Sequence, residues 1–231
     1  DGYRVFPVTK QHLLEEGSEF ENEQQKKMGT GVYVGDKWGG KYLRAPDIFF
    51  TILEKGEGKL VKLKDVAEVK FGIKTGCNEF FYLTQEEAEK WEIEEEFLKP
   101  VIKSPRECKK ILIDPDDLKY RVFMCHKDKD DLKGTNALKY IEWGERQEKE
   151  IKQGKNKGKK IKGFHNISSV KNRKRWYDLG NWKPSTGIIQ CGFGDFYKFY
   201  LNPDEILADK RLYLMYGDKN DVKLMNSTIY P

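Results

Sequence analysis

Apolar and polar positions change their period several times along the 231 residues. In the first 44, apolar runs are short, as in Tyr3, Val5, Phe6 and Val8, which predicts a strand followed by an irregular or weakly helical approach. From Ala45 the pattern shifts. Pro46 and Asp47 stand where first-turn residues belong, and Ile48, Phe49, Ile52 and Leu53 recur at helical spacing, so a short amphipathic helix is predicted to end near Gly56. Residues 62–71 alternate apolar and polar, and 80–83 form an aromatic run. With the two-glycine connection 72–79 between them, they predict a strand-loop-strand unit. Thr84 before Gln85 to Trp91 predicts a capped helix. Further strands are predicted over 97–102 and 110–113, a helix over 136–152, a Gly/Lys/Asn loop over 153–163, and strands at 187–190, 196–200 and 211–216. No repeat period emerges.

Composition narrows the class. Hydrophobic residues make up 38% and charged residues 35%, with 13 Phe, 12 Tyr and 5 Trp, too aromatic for a disordered chain and unusually charged for a folded one. No run approaches the length of a membrane span and no leader pattern opens the chain, so it reads as soluble and cytoplasmic. Cys77, Cys108, Cys125 and Cys191 lie far apart, which predicts reduced thiols and no structural metal. The net charge of +5 is concentrated: residues 145–175 hold twelve Lys/Arg against three Glu, while the rest of the chain holds 31 basic and 35 acidic residues. Local positive charge suits a polyanion, because each Lys or Arg that neutralises a phosphate releases a counterion; a solvated loop has the same composition.

Catalytic chemistry is sparse. The phosphate-loop pattern does not occur, and Gly192-Phe193-Gly194 reads as a turn because the run after it looks like a strand where nucleotide binding requires a helix. His12, His126 and His165 are scattered. Asp47, Glu68 and Lys70 formally satisfy the carboxylate-carboxylate-lysine pattern of metal-dependent nucleases, in which two carboxylates hold a cation and the Lys supports the attacking water. Asp47, however, is predicted to open a helix where that chemistry needs a strand. No catalytic residue and no metal ligand is assigned to this chain. The nuclease and an RNA-binding or interaction module stand as the alternative readings.

Several segments in collinear order resemble the C-terminal specificity domain of TaqI-type adenine-N6 DNA methyltransferases and fused type II restriction-modification enzymes. They are 37–46 (KWGGKYLRAP), 71–83 (FGIKTGCNEFFYL), 97–103 (FLKPVIK), 175–179 (RWYDL) and 224–228 (LMNST), and the likeness is densest in the second. The resemblance implies an α+β fold, a twisted β-rich specificity domain with short flanking helices, similar to the recognition domains of type I specificity subunits. It implies residues 45–231 as the DNA target-recognition domain and 1–44 as the approach from a catalytic domain outside this chain. That domain would bind S-adenosylmethionine and methylate a flipped adenine; its Asn-Pro-Pro-Tyr signature does not occur here. The sequence ends where the family's C-terminal helical hairpin is expected. The implied partners are double-stranded DNA and the catalytic methyltransferase domain, with no cofactor in this chain and no membrane.

Candidate DNA contacts follow from what DNA offers: phosphates attract cations, and base edges accept or donate to guanidinium, amide and hydroxyl groups. Lys155, Lys157, Lys159, Lys160, Lys162, Lys171, Arg173, Lys174 and Arg175 supply the cations. Arg173 and Arg175 suit guanine readout through paired hydrogen bonds. Trp176, with Tyr177, is either a stacking group or a core anchor. Lys74, Thr75 and Asn78, between Gly72 and Gly76, read either as a second DNA-contacting loop or as a tight turn satisfied by its own Asn. Lys103 and Arg106 add weaker positive charge.

Overall fold

In the computed structural model the chain divides into two compact units, Asp1–Val61 and Lys62–Pro231. The structure describes residues 7, 9–11, 26–28, 31–33, 45–61, 63–150, 158, 160–192, 198–218, 220 and 222. In the first unit, β1 (Lys26–Met28) and β2 (Gly31–Tyr33) form an antiparallel pair, and α1 spans Asp47–Lys55. The bounds of α1 follow from its ends: Pro46 precedes the first turn and Asp47 complements the helix dipole there. At the other end the Gly56 amide closes onto the Ile52 carbonyl at 2.8 Å.

The second unit begins with a helical turn, α2 (Leu63–Val66), followed by β3 (Ala67–Phe71). After the 72–77 loop come α3 (Asn78–Phe81), β4 (Tyr82–Thr84) and α4 (Gln85–Trp91). Next are β5 (Leu98–Ile102), β6 (Tyr120–Phe123), α5 (Asn136–Arg146), and the hairpin of β7 (Glu148–Glu150) with β8 (Lys160–Lys162). β9 (Gly187–Gln190), β10 (Phe199–Leu201), β11 (Leu207–Ala208) and β12 (Leu212–Gly217) complete it. One four-stranded sheet runs β10-β9-β12-β3, antiparallel throughout; the other runs β11-β5-β6-β4, with only the β11–β5 pair parallel. Sheets of mixed pairing flanked by short helices make the fold α+β, as expected.

Among the described residues, three apolar clusters hold this unit. The largest gathers Phe80, Phe81, Phe123, Tyr140, Ile141 and Trp176 between the second sheet and helices α3 to α5. A second joins the two sheets through Ile102 and Ala208 on one side and Ile188, Leu212 and Leu214 on the other. Aromatic pairs run continuously through the first: Phe80 stacks on Tyr140 at 4.8 Å, and Tyr140 on Trp143 at 5.2 Å. Where the sheets meet, the buried Tyr82 hydroxyl donates to Asp209 at 2.7 Å, and burial, reinforced by that carboxylate, pushes the phenol pKa up. Gly192 follows β9, which pairs antiparallel with β10, and residues 193–197, with the rest of the Gly192-Phe193-Gly194 pattern, lie outside the described residues.

Several local expectations change. The alternation over 62–71 begins with α2, and the aromatic run 80–83 is shared between α3 and β4. The helix expected over 136–152 stops at Arg146 and gives way to β7, and 110–113 contributes an isolated bridge from Leu112 to Leu201. Residues 151–157, 159 and 223–231, including the place where the helical hairpin is expected, lie outside the described residues.

Candidate nucleic-acid interface

The two candidate segments, far apart in sequence, are bonded together. Arg173 Nη2 donates to the carbonyls of Lys74 at 3.1 Å and Thr75 at 2.9 Å, and Ser169 Oγ donates to the Gly76 carbonyl at 2.7 Å. Gly76 has φ of +74°, and a Cβ there would lie 2.9 Å from the buried Val170 side chain. At Gly72 a Cβ would meet the carbonyls of Ala208 and Asp209 at 2.4 Å. Both glycines therefore serve close approach within the protein itself. The β7–β8 hairpin joins the same surface: Lys149 pairs with Glu79 at 3.0 Å, and the Gly163 amide donates to the Gln147 carbonyl at 2.6 Å.

This docking engages part of the expected contact set within the protein itself. Thr75 is buried, and its hydroxyl donates to Asn78 Oδ1, so the turn satisfies itself. Arg173 packs over the Phe81 ring at 5.6 Å and spends its Nη2 on loop carbonyls; burial lowers its pKa, without bringing a guanidinium near neutrality. Its Nη1 is buried with no hydrogen-bond partner among the described residues. Arg175 bonds Asp178 at 2.8 Å and Asp128 at 3.0 Å, which raise its pKa. Trp176 is buried: its ring lies 4.4 Å from Phe80 and its indole N–H donates to Glu145 at 2.8 Å. Of the two readings of Trp176 the core anchor is the one realised, because no face of a ring so enclosed is open to a base.

Exposed cations remain. Lys74, Lys160, Lys162, Lys171 and Lys174 are all exposed, as is Asn78, which keeps its amide N–H donors. They are not equivalent. The hairpin register sets Glu148 opposite Lys162 and Glu150 opposite Lys160, so carboxylates offset the two β8 lysines. Lys74, Lys171 and Lys174 pair with no carboxylate among the described residues, and all three lie on the segments that Arg173 ties together. Lys155, Lys157 and Lys159 lie outside the described residues. Lys103 sits 3.6 Å over the Tyr120 ring, and Arg106 is exposed on a separate 3-10 turn.

Sequence reasoning passed over the residues that fix this face. Asp178 receives Arg175, His126 Nδ1 at 2.7 Å and the Gly180 amide at 2.8 Å. Burial on its own raises the Asp178 pKa, but these bonds outweigh it and hold the carboxyl below its usual range. The i, i+3 spacing of Arg175 and Asp178 was the available signal; His126 is 52 residues away and left none.

In the nuclease alternative, Asp47 stands on a helix where that chemistry needs a strand. Asp47 opens α1 in the first unit, while Glu68 and Lys70, on β3 of the second, pair with each other at 2.8 Å. Among the described residues no group of three or more His, Cys, Asp or Glu is placed to hold a metal ion, and no helix is long and apolar enough to cross a membrane.

Comparison with known proteins agrees with this architecture. Among solved structures, the crystal structure of the type IIG restriction endonuclease BpuSI is similar, with a TM-score of 0.51 and 11% identity, covering 85% of this chain and 23% of that one. At that identity the likeness concerns the fold, and the chain spans less than a quarter of that enzyme. No curated protein matches. The family model for the C-terminal domain of the type II methyltransferase M.Eco57I matches residues 35–229, most of the chain, and the protein therefore belongs to the family of that methyltransferase C-terminal domain.

Proposed function

We propose that this chain is the DNA target-recognition domain of a larger restriction-modification methyltransferase of the adenine-N6 class. In this reading it holds duplex DNA so that a catalytic domain elsewhere in the parent protein, carrying S-adenosylmethionine, reaches the flipped adenine; the chain performs no catalysis itself and works in the cytoplasm. The observation that carries the reading is the set of exposed lysines, Lys74, Lys171 and Lys174, brought together on two bonded segments of a domain whose family is methyltransferase-associated. Asn78 and the β8 lysines extend the face.

A fluorescence-anisotropy titration of the full chain with random-sequence duplex and with single-stranded DNA, across a salt series, tests it. The expected result is duplex binding that weakens linearly on a log–log plot against salt, with single strands bound less tightly. Preference for single strands, or no binding to either at low salt, contradicts it.

A further inference from the structure

The edge strand β3 ends in an aromatic side chain that the core does not take up. Phe71 is 48% exposed, although it closes a strand whose partner β12 is central to the sheet. Its ring lies 4.7 Å from that of Tyr213, its cross-strand neighbour, at a 39° tilt. Lys74 Nζ stands 5.1 Å over the same ring, at the start of the loop that Arg173 binds. A large ring left half in water forgoes much of the stabilisation that full burial of such a side chain gives. Here it is set on a strand paired with β12, backed by the Tyr213 ring, and bordered by Lys74 of the basic face.

We propose that Phe71, supported by Tyr213, is a base-stacking wedge of this face. With Lys74 and its neighbours on phosphates, the ring lies against a base of the bound duplex and separates it from the adjoining base. This rests on the DNA-recognition reading above. The charge at the ring selects the occupant: the Lys74 ammonium stands over it, and a polyanion whose backbone is charged and whose bases present flat apolar faces meets both features at once. Tyr213 keeps the ring from folding back onto the sheet, and the antiparallel β3–β12 pairing fixes its position. Insertion is easiest where a base pair is already loosened, because less stacking has to be broken.

The test compares a matched duplex with one carrying a single mismatch beside 2-aminopurine, using the full chain. The wild type is expected to bind the mismatched duplex roughly tenfold more tightly and to brighten the 2-aminopurine as the base unstacks. Phe71→Ala and Phe71→Leu are expected to lose both the preference and the brightening; Leu retains apolar bulk without a planar face, so it guards against a folding defect. Phe71→Trp should keep both. Lys74→Ala should weaken the two duplexes equally. Equal binding of both duplexes by the wild type, or a preference that survives in Phe71→Leu, overturns the wedge while leaving DNA recognition intact. Binding to neither duplex overturns the recognition reading as well.

Discussion

Within residues 171–176 two kinds of side chain alternate. Arg173, Arg175 and Trp176 turn inward: one bonds loop carbonyls, one bridges two aspartates, and one fills the aromatic core. Lys171 and Lys174, in the same short stretch, stay in water. The difference reflects what each head group does. A guanidinium carries several donors in a planar fork and serves as a rivet between fixed acceptors, whereas an ammonium is compact and strongly hydrated. A cluster of positive charge in a sequence is thus two populations in the fold, one that shapes the surface and one that stays solvated.

That contrast can be tested from its strongest consequence downward. Trp176→Ala removes a core ring and the bond to Glu145, and is expected to cost about 3–5 kcal/mol in urea unfolding. Under native conditions its duplex affinity should be retained; unchanged stability with impaired binding would move the residue to the interface. Arg173→Ala releases the Lys74 and Thr75 carbonyls and is expected to cost about 1–3 kcal/mol, with faster amide exchange in residues 74–78 as the local readout.

A smaller effect appears with pH. The Asp178 carboxyl lies below its unfolded value, so the stability it contributes is complete above the ordinary carboxylate range and is lost as pH falls through its folded pKa. Asp178→Asn should flatten this acid-side dependence; an unchanged slope would show that the Arg175 and His126 contacts do not govern it. Smallest of all, Lys74→Ala, Lys171→Ala and Lys174→Ala should each change stability by no more than about 0.5 kcal/mol, as expected for solvated side chains.

Legibility from sequence followed the range of the interactions. The ends of α1 at Pro46 and Gly56 and the Thr84 cap, with Glu87 completing the reciprocal capping box, involve neighbours in sequence and were readable. α2 and α3 were not, because four residues of alternating or aromatic character fit a helical turn as well as a strand, and tertiary packing decided. The start of α5 shows the same limit. Thr135 caps it locally, but Glu94 accepts the Asn136 and Ala137 amides at 2.7 and 3.0 Å from more than forty residues away. Burial works against the Glu94 charge, and those amide bonds prevail to lower its pKa. In the interface, the positive charge was visible as composition. Which cations were free was not, since the partners of Arg173 lie nearly a hundred residues earlier.

In the proposed function Lys74, Lys171 and Lys174 together hold DNA phosphates. The most direct measurement is the salt slope of duplex binding for the full chain with all three changed to Ala, set beside the wild type. The expected slope is shallower by about 0.9 for each phosphate that is no longer neutralised, with folding intact. A slope equal to that of the wild type would contradict it and place the DNA elsewhere on the molecule.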